Sequence, residues 1–206
     1  MLLCDSGNTS MHFYDGSTHT YKQSVEEFDG LIDSCKVYYI NVNPDLETTL
    51  QQMPNWINLQ SYVNAEKYYD GMGIDRIMAC EAVDEGIVID AGSAITVDVM
   101  HQGVYGGGFI CPGIHAMQAS YANISSRLSN SFNFELDLDK MPKNTQDSIS
   151  YGFLRLLYGE VMRHNKPIII TGGDARHLHK VFQHATVDEL LIFKGMKQMI
   201  PKIASC

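Results

Sequence analysis

The sequence predicts an α/β protein of two similar lobes, and three features carry that reading. The chain opens with an apolar run, MLLC, that breaks at Asp5-Ser6-Gly7-Asn8 and resumes at Met11, Phe13 and Tyr14. That is the pattern of a strand, a tight turn and a returning strand. The same device recurs where Gly86-Ile87-Val88-Ile89 runs into Asp90-Ala91-Gly92-Ser93-Ala94-Ile95-Thr96-Val97-Asp98. Each copy is an apolar strand, an aspartate, a small residue, a glycine and then hydroxyl or amide side chains, a weak internal repeat that implies two halves of like design. Helix-like segments separate the strands, as they do in α/β bodies. The expected lobes are residues 1–85 and 86–206.

Taken in order, the hairpin of residues 1–14 is followed by a helical pattern over 24–35, with Val25, Phe28, Leu31 and Ile32 on one face. Lys36–Val42 reads as a strand, and Asn43-Pro44 opens a helix at Asp45. Ile74–Val83 is helix-like, with Gly71 and Gly73 before it. Beyond the second hairpin, the glycine-rich stretch 103–113 ends in the turn Cys111-Pro112-Gly113 and leads into a helix over 114–128. Residues 130–144 are polar and irregular, a connection. Thr145–His164 is the longest helical pattern, with Ile149, Phe153, Leu156, Leu157 and Val161 on one face. A third apolar strand, Pro167–Ile170, runs into Thr171-Gly172-Gly173-Asp174-Ala175.

Composition narrows the function. With 206 residues the chain can bury a sizeable core, and 45% hydrophobic with 19% charged residues is globular rather than disordered. A formal net charge of −9 lacks the footprint of a nucleic-acid or anionic-membrane binder, so neither partner is expected. Any phosphate must be handled locally, by backbone amides and metal ions. No apolar stretch is long enough to span a membrane and no signal-peptide pattern stands at the start, so a cytoplasmic location is expected. The five cysteines are scattered with no CxxC pair, which indicates neither a zinc site nor a disulfide framework. His177, His179 and His184 lack an acidic or cysteine partner at ligand spacing and read as a solvated helix face.

The glycine turns point to phosphate. Glycine lets backbone donors approach phosphate oxygens with no Cβ in the way. An aspartate at a strand end can hold hydrated Mg²⁺, which prefers one or two carboxylates plus water and phosphate oxygens. Hydroxyls at Ser6, Thr9, Ser10, Ser93 and Thr96 add hydrogen bonds without charge. Two such hairpins can enclose phosphate and metal, and the turn at Thr171–Asp174 can lie against a nucleoside. No GxxxxGK[ST], GxGxxG, GxSxG or HExxH is present.

The set DSGNTS, GIDR, DAGSAITVD, GGFICPG and TGGDA, in that order from Asp5 to Ala175, resembles the type III pantothenate kinases of the acetate kinase–hexokinase–actin superfamily. The resemblance implies two actin-like (ribonuclease H-like) lobes with a nucleotide cleft between them, a homodimer, and the conversion of pantothenate and ATP to 4'-phosphopantothenate, the first step of coenzyme A biosynthesis. By position it implies that Asp5, Ser6, Gly7, Asn8, Thr9, Ser10, Met11 and His12 form the first phosphate loop, with Asp5 on Mg²⁺ through water, and that Ser93 meets the ATP phosphates. Asp75 would be the general base, Gly73, Ile74, Asp75 and Arg76 would line the pantothenate site with Thr145, and Asp90 would hold a monovalent cation, K⁺ or NH₄⁺. The family places a tyrosine shortly before GxDR; Tyr68 and Tyr69 both serve.

Two details differ from the family pattern: Ser93 stands where threonine is usual, and His12 where lysine or another residue is common. Arg76 can pair with a substrate carboxylate or hold its own loop, and Asp98 is either a second carboxylate near the phosphates or a surface charge. The rival readings are a kinase of the same superfamily acting on another small hydroxyl substrate, and a non-catalytic regulatory relative.

Overall fold

The structure is a computed structural model and describes every residue except 18, 29–34, 205 and 206. The chain divides into two compact units, Met1–Ala82 with Leu190–Cys206, and Val83–Glu189.

The first unit is built on the strands β1 (Leu2–Ser6), β2 (Ser10–Tyr14), β3 (Thr20–Ser24), β4 (Val37–Asn41) and β5 (Trp56–Asn58), in the spatial order β3-β2-β1-β4-β5. β1 and β2 are antiparallel, with Asp5 opposite His12 and Ser6 opposite Met11, while β1 and β4 run parallel. Alternation places Cys4, Met11, Phe13, Val37, Tyr39 and Trp56 in one core. Two α-helices also lie within Met1–Ala82: α1 (Glu47–Gln51) and α2 (Ile74–Glu81).

The second unit carries β6 (Gly86–Ala91), β7 (Ala94–His101), β8 (Val104–Pro112), α3 (Ile114–Ile124), α4 (Thr145–Met162), β9 (Ile168–Thr171), α5 (Ala175–Val181) and β10 (Thr186–Val187). Its strand order, β10-β9-β6-β7-β8, is that of the first unit read from the other edge. The repeat legible in DSGNTS and DAGSAIT therefore extends to a whole sheet. Its core joins Ile87, Ile89, Ile95, Val97 and Ile170 to Ile149, Phe153, Leu154 and Leu157 of α4.

Several elements differ from expectation. The last helix, α6 (Leu191–Ala204), packs on the first unit rather than completing a lobe over 86–206. Gly195 lies against the Met78 carbonyl so closely that any Cβ would collide with it, Phe193 packs on Tyr14, and Lys197 Nζ donates to the Gly16 carbonyl at 2.7 Å. The helix expected over 24–35 gives way at its start to β3, missed in the sequence, and to one 3₁₀ turn, Val25–Glu27; residues 29–34 lie outside the described residues. Thr20–Ser24 is claimed by register pairing with β2, from Tyr14↔Thr20 to Ser10↔Ser24.

The glycine-rich stretch is a strand, β8, paired antiparallel with β7 from Ala94↔Pro112 to His101↔Val104, and Gly108 faces the Asp98 carboxylate and the Val97 carbonyl with no room for a side chain. The helix expected over 114–128 stops at Ile124, where Ser125 turns extended and caps a separate 3₁₀ turn. Leu156 faces outward on α4 instead of joining the apolar face. His184 lies beyond α5. No described helix is long and apolar enough to cross a membrane.

Candidate active site

In the first unit the DSGNTS hairpin turns through Gly7–Ser10, closed by the Gly7 N–H donating to the Ser10 carbonyl at 3.0 Å. A Cβ on Gly7 would stand 3.1 Å from that carbonyl, so glycine keeps the turn tight. Asn8 and Thr9 are exposed at the tip, and the Thr9 carbonyl accepts from Val25 N–H at 3.3 Å. Of the eight residues that resemblance places in the phosphate loop, Met11 has its side chain in the core, so only its backbone is available to a ligand. Ser6 is fully buried and its Oγ has no hydrogen-bond partner among the described residues, an orphaned donor at the strand end.

Ser10 Oγ and His12 Nε2 are hydrogen-bonded at 3.1 Å. Burial, with the Lys22 ammonium as the smaller cause, lowers the His12 pKa to about 4. The imidazole is therefore neutral at pH 7 in the protein alone and can orient the Ser10 hydroxyl.

The GIDR residues form the start of α2, with Gly73 in the capping position and Asp75 in the first turn, where the helix dipole favours an anion. Asp75 Oδ1 accepts from the Arg76 backbone N–H at 2.8 Å. Arg76 is only 4% exposed; its Nη1 donates to the Tyr69 hydroxyl at 2.6 Å, and its guanidinium lies 5.8 Å from that ring's centroid. The two tyrosines left open by the sequence now separate. Tyr68 is buried and its hydroxyl donates to Glu81 Oε1 at 3.0 Å, where Lys67 Nζ also pairs at 3.1 Å. Tyr69 is half exposed beside Arg76.

In the second unit two further glycine motifs close on the DAGSA turn. Gly113, the end of GGFICPG, sits against the Gly92 and Ser93 carbonyls and donates its N–H to Ser93 at 3.1 Å. Gly172 of TGGDA, at φ +90°, sits against the Asp90 carboxylate and the Ala91 carbonyl, and Asp174 N–H donates to that carbonyl at 2.9 Å. Either glycine would drive a Cβ into the turn. This leaves Asp90 half-buried and Ser93 exposed at its tip. Thr96 Oγ1, opposite Asp90 in register, is a second buried hydroxyl with no hydrogen-bond partner among the described residues. Asp98 is not a surface charge: it is fully buried and accepts from the Tyr105 hydroxyl at 3.1 Å. Thr145 is exposed at the first position of α4, whose cap is Asn144.

Beside the TGGDA turn lies a cavity of about 420 Å³ lined by Ile114, Gln118, Phe134, Gln146, Asp174 and His177, among others. His177 stacks on Phe134, ring centroids 5.0 Å apart. The sequence offered the turn but not the opposite wall, which comes from the irregular segment after α3.

Residues 35–166 match the family model described as type III pantothenate kinase. Over its full length the chain is 52% identical to the type III pantothenate kinase of Sulfurimonas denitrificans, covering all of both proteins. The chain belongs to the type III pantothenate kinases. It is 42% identical to the Campylobacter jejuni enzyme of that name, covering 97% of this chain and 96% of the other. Among solved structures, a Campylobacter jejuni protein described as a Baf family transcriptional activator superposes with a TM-score of 0.89 at 40% identity, covering all of both chains. MreB5 of Spiroplasma citri, bound to ADP, shares the fold at a TM-score of 0.53 and 11% identity, over 98% of this chain and 96% of the other. The fold is thus the actin-like one.

Proposed function

We propose that this protein transfers the γ-phosphoryl group of ATP to the primary hydroxyl of pantothenate, giving 4'-phosphopantothenate and ADP, the opening step of coenzyme A biosynthesis. The observation that carries the reading is the convergence of GGFICPG and TGGDA on the Asp90–Ser93 turn, matched in the first unit by the DSGNTS hairpin. Backbone packed this closely around a turn that carries an aspartate and an exposed hydroxyl suits a polyphosphate.

Asp75 accepts the hydroxyl proton as the oxygen attacks the γ-phosphorus and the bond to the ADP oxygen breaks. The first turn of α2 sets that carboxylate at the positive end of the helix dipole. Arg76 and Tyr69 hold the pantothenate carboxylate and amide end, with Thr145 as a further contact. The cavity beside Asp174 takes the nucleoside. The donor set fits the ions the reaction class uses. Asp5 is a half-buried carboxylate at a strand end for hydrated Mg²⁺. Asp90, against Gly172 and opposite the orphaned Thr96 hydroxyl, suits K⁺ or NH₄⁺. Bound there, these ions neutralise phosphate charge. Ile124, Met141 and Leu156 are large apolar side chains exposed on the second unit, and such surface supports a homodimer.

The name given to the superposed Campylobacter jejuni structure keeps a regulatory role in play as the second reading. One assay separates them: purified protein with Mg²⁺, ATP and pantothenate, with and without K⁺ or NH₄⁺, followed by mass for ADP and phosphopantothenate. Cation-dependent phosphopantothenate is expected. ADP without it points to another acceptor, and no ADP under any condition puts the regulatory reading first.

A further inference from the structure

Two buried carboxamides behind the DSGNTS hairpin have no part in the roles above. Asn41 closes β4 and Asn43 follows it, at 9% and 5% exposure. Asn43 is bonded through both its backbone and its side chain. Its backbone N–H donates to Asn41 Oδ1 at 3.1 Å, and its Oδ1 accepts from Asp45 N–H at 2.9 Å, capping the 3₁₀ turn Pro44–Leu46. Its Nδ2 donates to the Asn8 carbonyl at the hairpin tip, at 3.4 Å. Asn41 Nδ2 donates in turn to the Asn43 carbonyl and to Glu47 Oε2, both at 2.8 Å. Next to this network the Val42 N–H donates to the Ser6 carbonyl at 3.0 Å.

A buried amide is costly unless its donors are met, and here one donor is met by the hairpin itself. The tip is then held from two sides, Asn8 by Asn43 and Thr9 by Val25. A peptide carbonyl left free at such a tip can swing toward a phosphate and repel it. One committed to a buried amide cannot. We propose that Asn43 is a positioning residue for nucleotide binding, fixing the Asn8 peptide so that the hairpin presents donors to the phosphates. The proposal rests on the kinase reading.

The test uses Asn43→Ser, whose hydroxyl still caps the Pro44 turn but cannot reach Asn8, and Asn43→Ala, which loses both contacts. Mg–ADP affinity is measured by calorimetry, with KM for ATP and for pantothenate and the unfolding temperature. For Asn43→Ser an unfolding temperature near wild type is expected, with ADP affinity and KM for ATP weakened roughly three- to tenfold, the range of one lost hydrogen bond, and KM for pantothenate unchanged. Asn43→Ala should show the same loss and a lower unfolding temperature. Should Asn43→Ser fail to fold, Asn43→Thr, whose hydroxyl also caps the turn and adds no charge, gives the same readout. Unchanged nucleotide affinity in the folded variant, or equal loss for pantothenate, overturns the positioning role. Wild type that binds no nucleotide overturns the kinase reading instead.

Discussion

The Asp75 carboxylate lies over Gly73 so closely that a Cβ built on the glycine would stand 2.6 Å from Asp75 Oδ1. The same oxygen takes the Arg76 N–H at 2.8 Å, so the carboxylate is folded back against its own helix cap. A methyl group at residue 73 can be accommodated only if the Asp75 side chain turns away, and an aspartate rotamer change is cheap. The cost should fall on the chemistry rather than the fold. Gly73→Ala is expected to stay folded with turnover reduced about tenfold or more, and Asp75→Asn to lose about 10²- to 10⁴-fold, the range of a general base. Steady-state turnover beside a thermal melt checks both. Wild-type turnover in Gly73→Ala would show that the observed rotamer is not the working one.

The tyrosines make a paired prediction. Tyr69→Phe removes the hydroxyl that accepts from the buried Arg76 guanidinium, while Tyr68→Phe removes a hydroxyl that donates to Glu81 on the far end of α2. Tyr69→Phe should raise KM for pantothenate several-fold, and Tyr68→Phe should lower the unfolding temperature with KM little changed. The reverse pattern would hand the substrate-side role to Tyr68.

How much of this was legible depends on where the determinants sit in the chain. The hairpin turns, the start of α2 and the DAGSA turn announce themselves because their glycines, aspartates and hydroxyls answer local backbone demands. β3 was hidden because Thr20–Ser24 is polar at an edge and takes its conformation from β2. The strand character of 104–112 was hidden because its pairing partner is β7, and the need for glycine at 108 comes from Asp98 and Val97 on that neighbouring strand. The docking of α6 depends on Gly195 meeting Met78, more than a hundred residues away, which no local pattern records. The different partners of Tyr68 and Tyr69, Glu81 and Arg76, were likewise hidden, because both lie within reach in sequence and only the winding of α2 separates them.

Gly172 tests the second unit. At φ +90° it occupies backbone space that an L side chain adopts at a cost of about 1 kcal/mol, and any Cβ there would meet the Asp90 carboxylate. Gly172→Ala should raise the concentration of K⁺ or NH₄⁺ needed for half-maximal activity, as should Asp90→Asn, which keeps the side chain's shape and removes its charge. Activity titrated against each cation checks it. A variant pair with wild-type cation response would move the cation away from Asp90.

His12 makes the protein's stability depend on pH in a definite direction. Its imidazole, held neutral by burial and by Lys22, has a folded-state pKa of about 4 against an ordinary 6.5. The folded state thus binds fewer protons than the unfolded state between those values, so the stabilisation is complete above pH 6.5 and is lost as the pH falls toward 4. His12→Asn keeps a polar side chain near Ser10 but has no proton to gain, so its unfolding temperature should fall less than that of wild type between pH 7 and pH 4.5. The comparison is a set of thermal melts across that interval, each variant referred to its own value at pH 7. The other histidines remain in both proteins, so the difference between the two curves isolates this one. Parallel curves would mean that the His12 ring is open enough to solvent to take up its proton in the folded state, and the neutral hydrogen bond to Ser10 would then not survive mild acid.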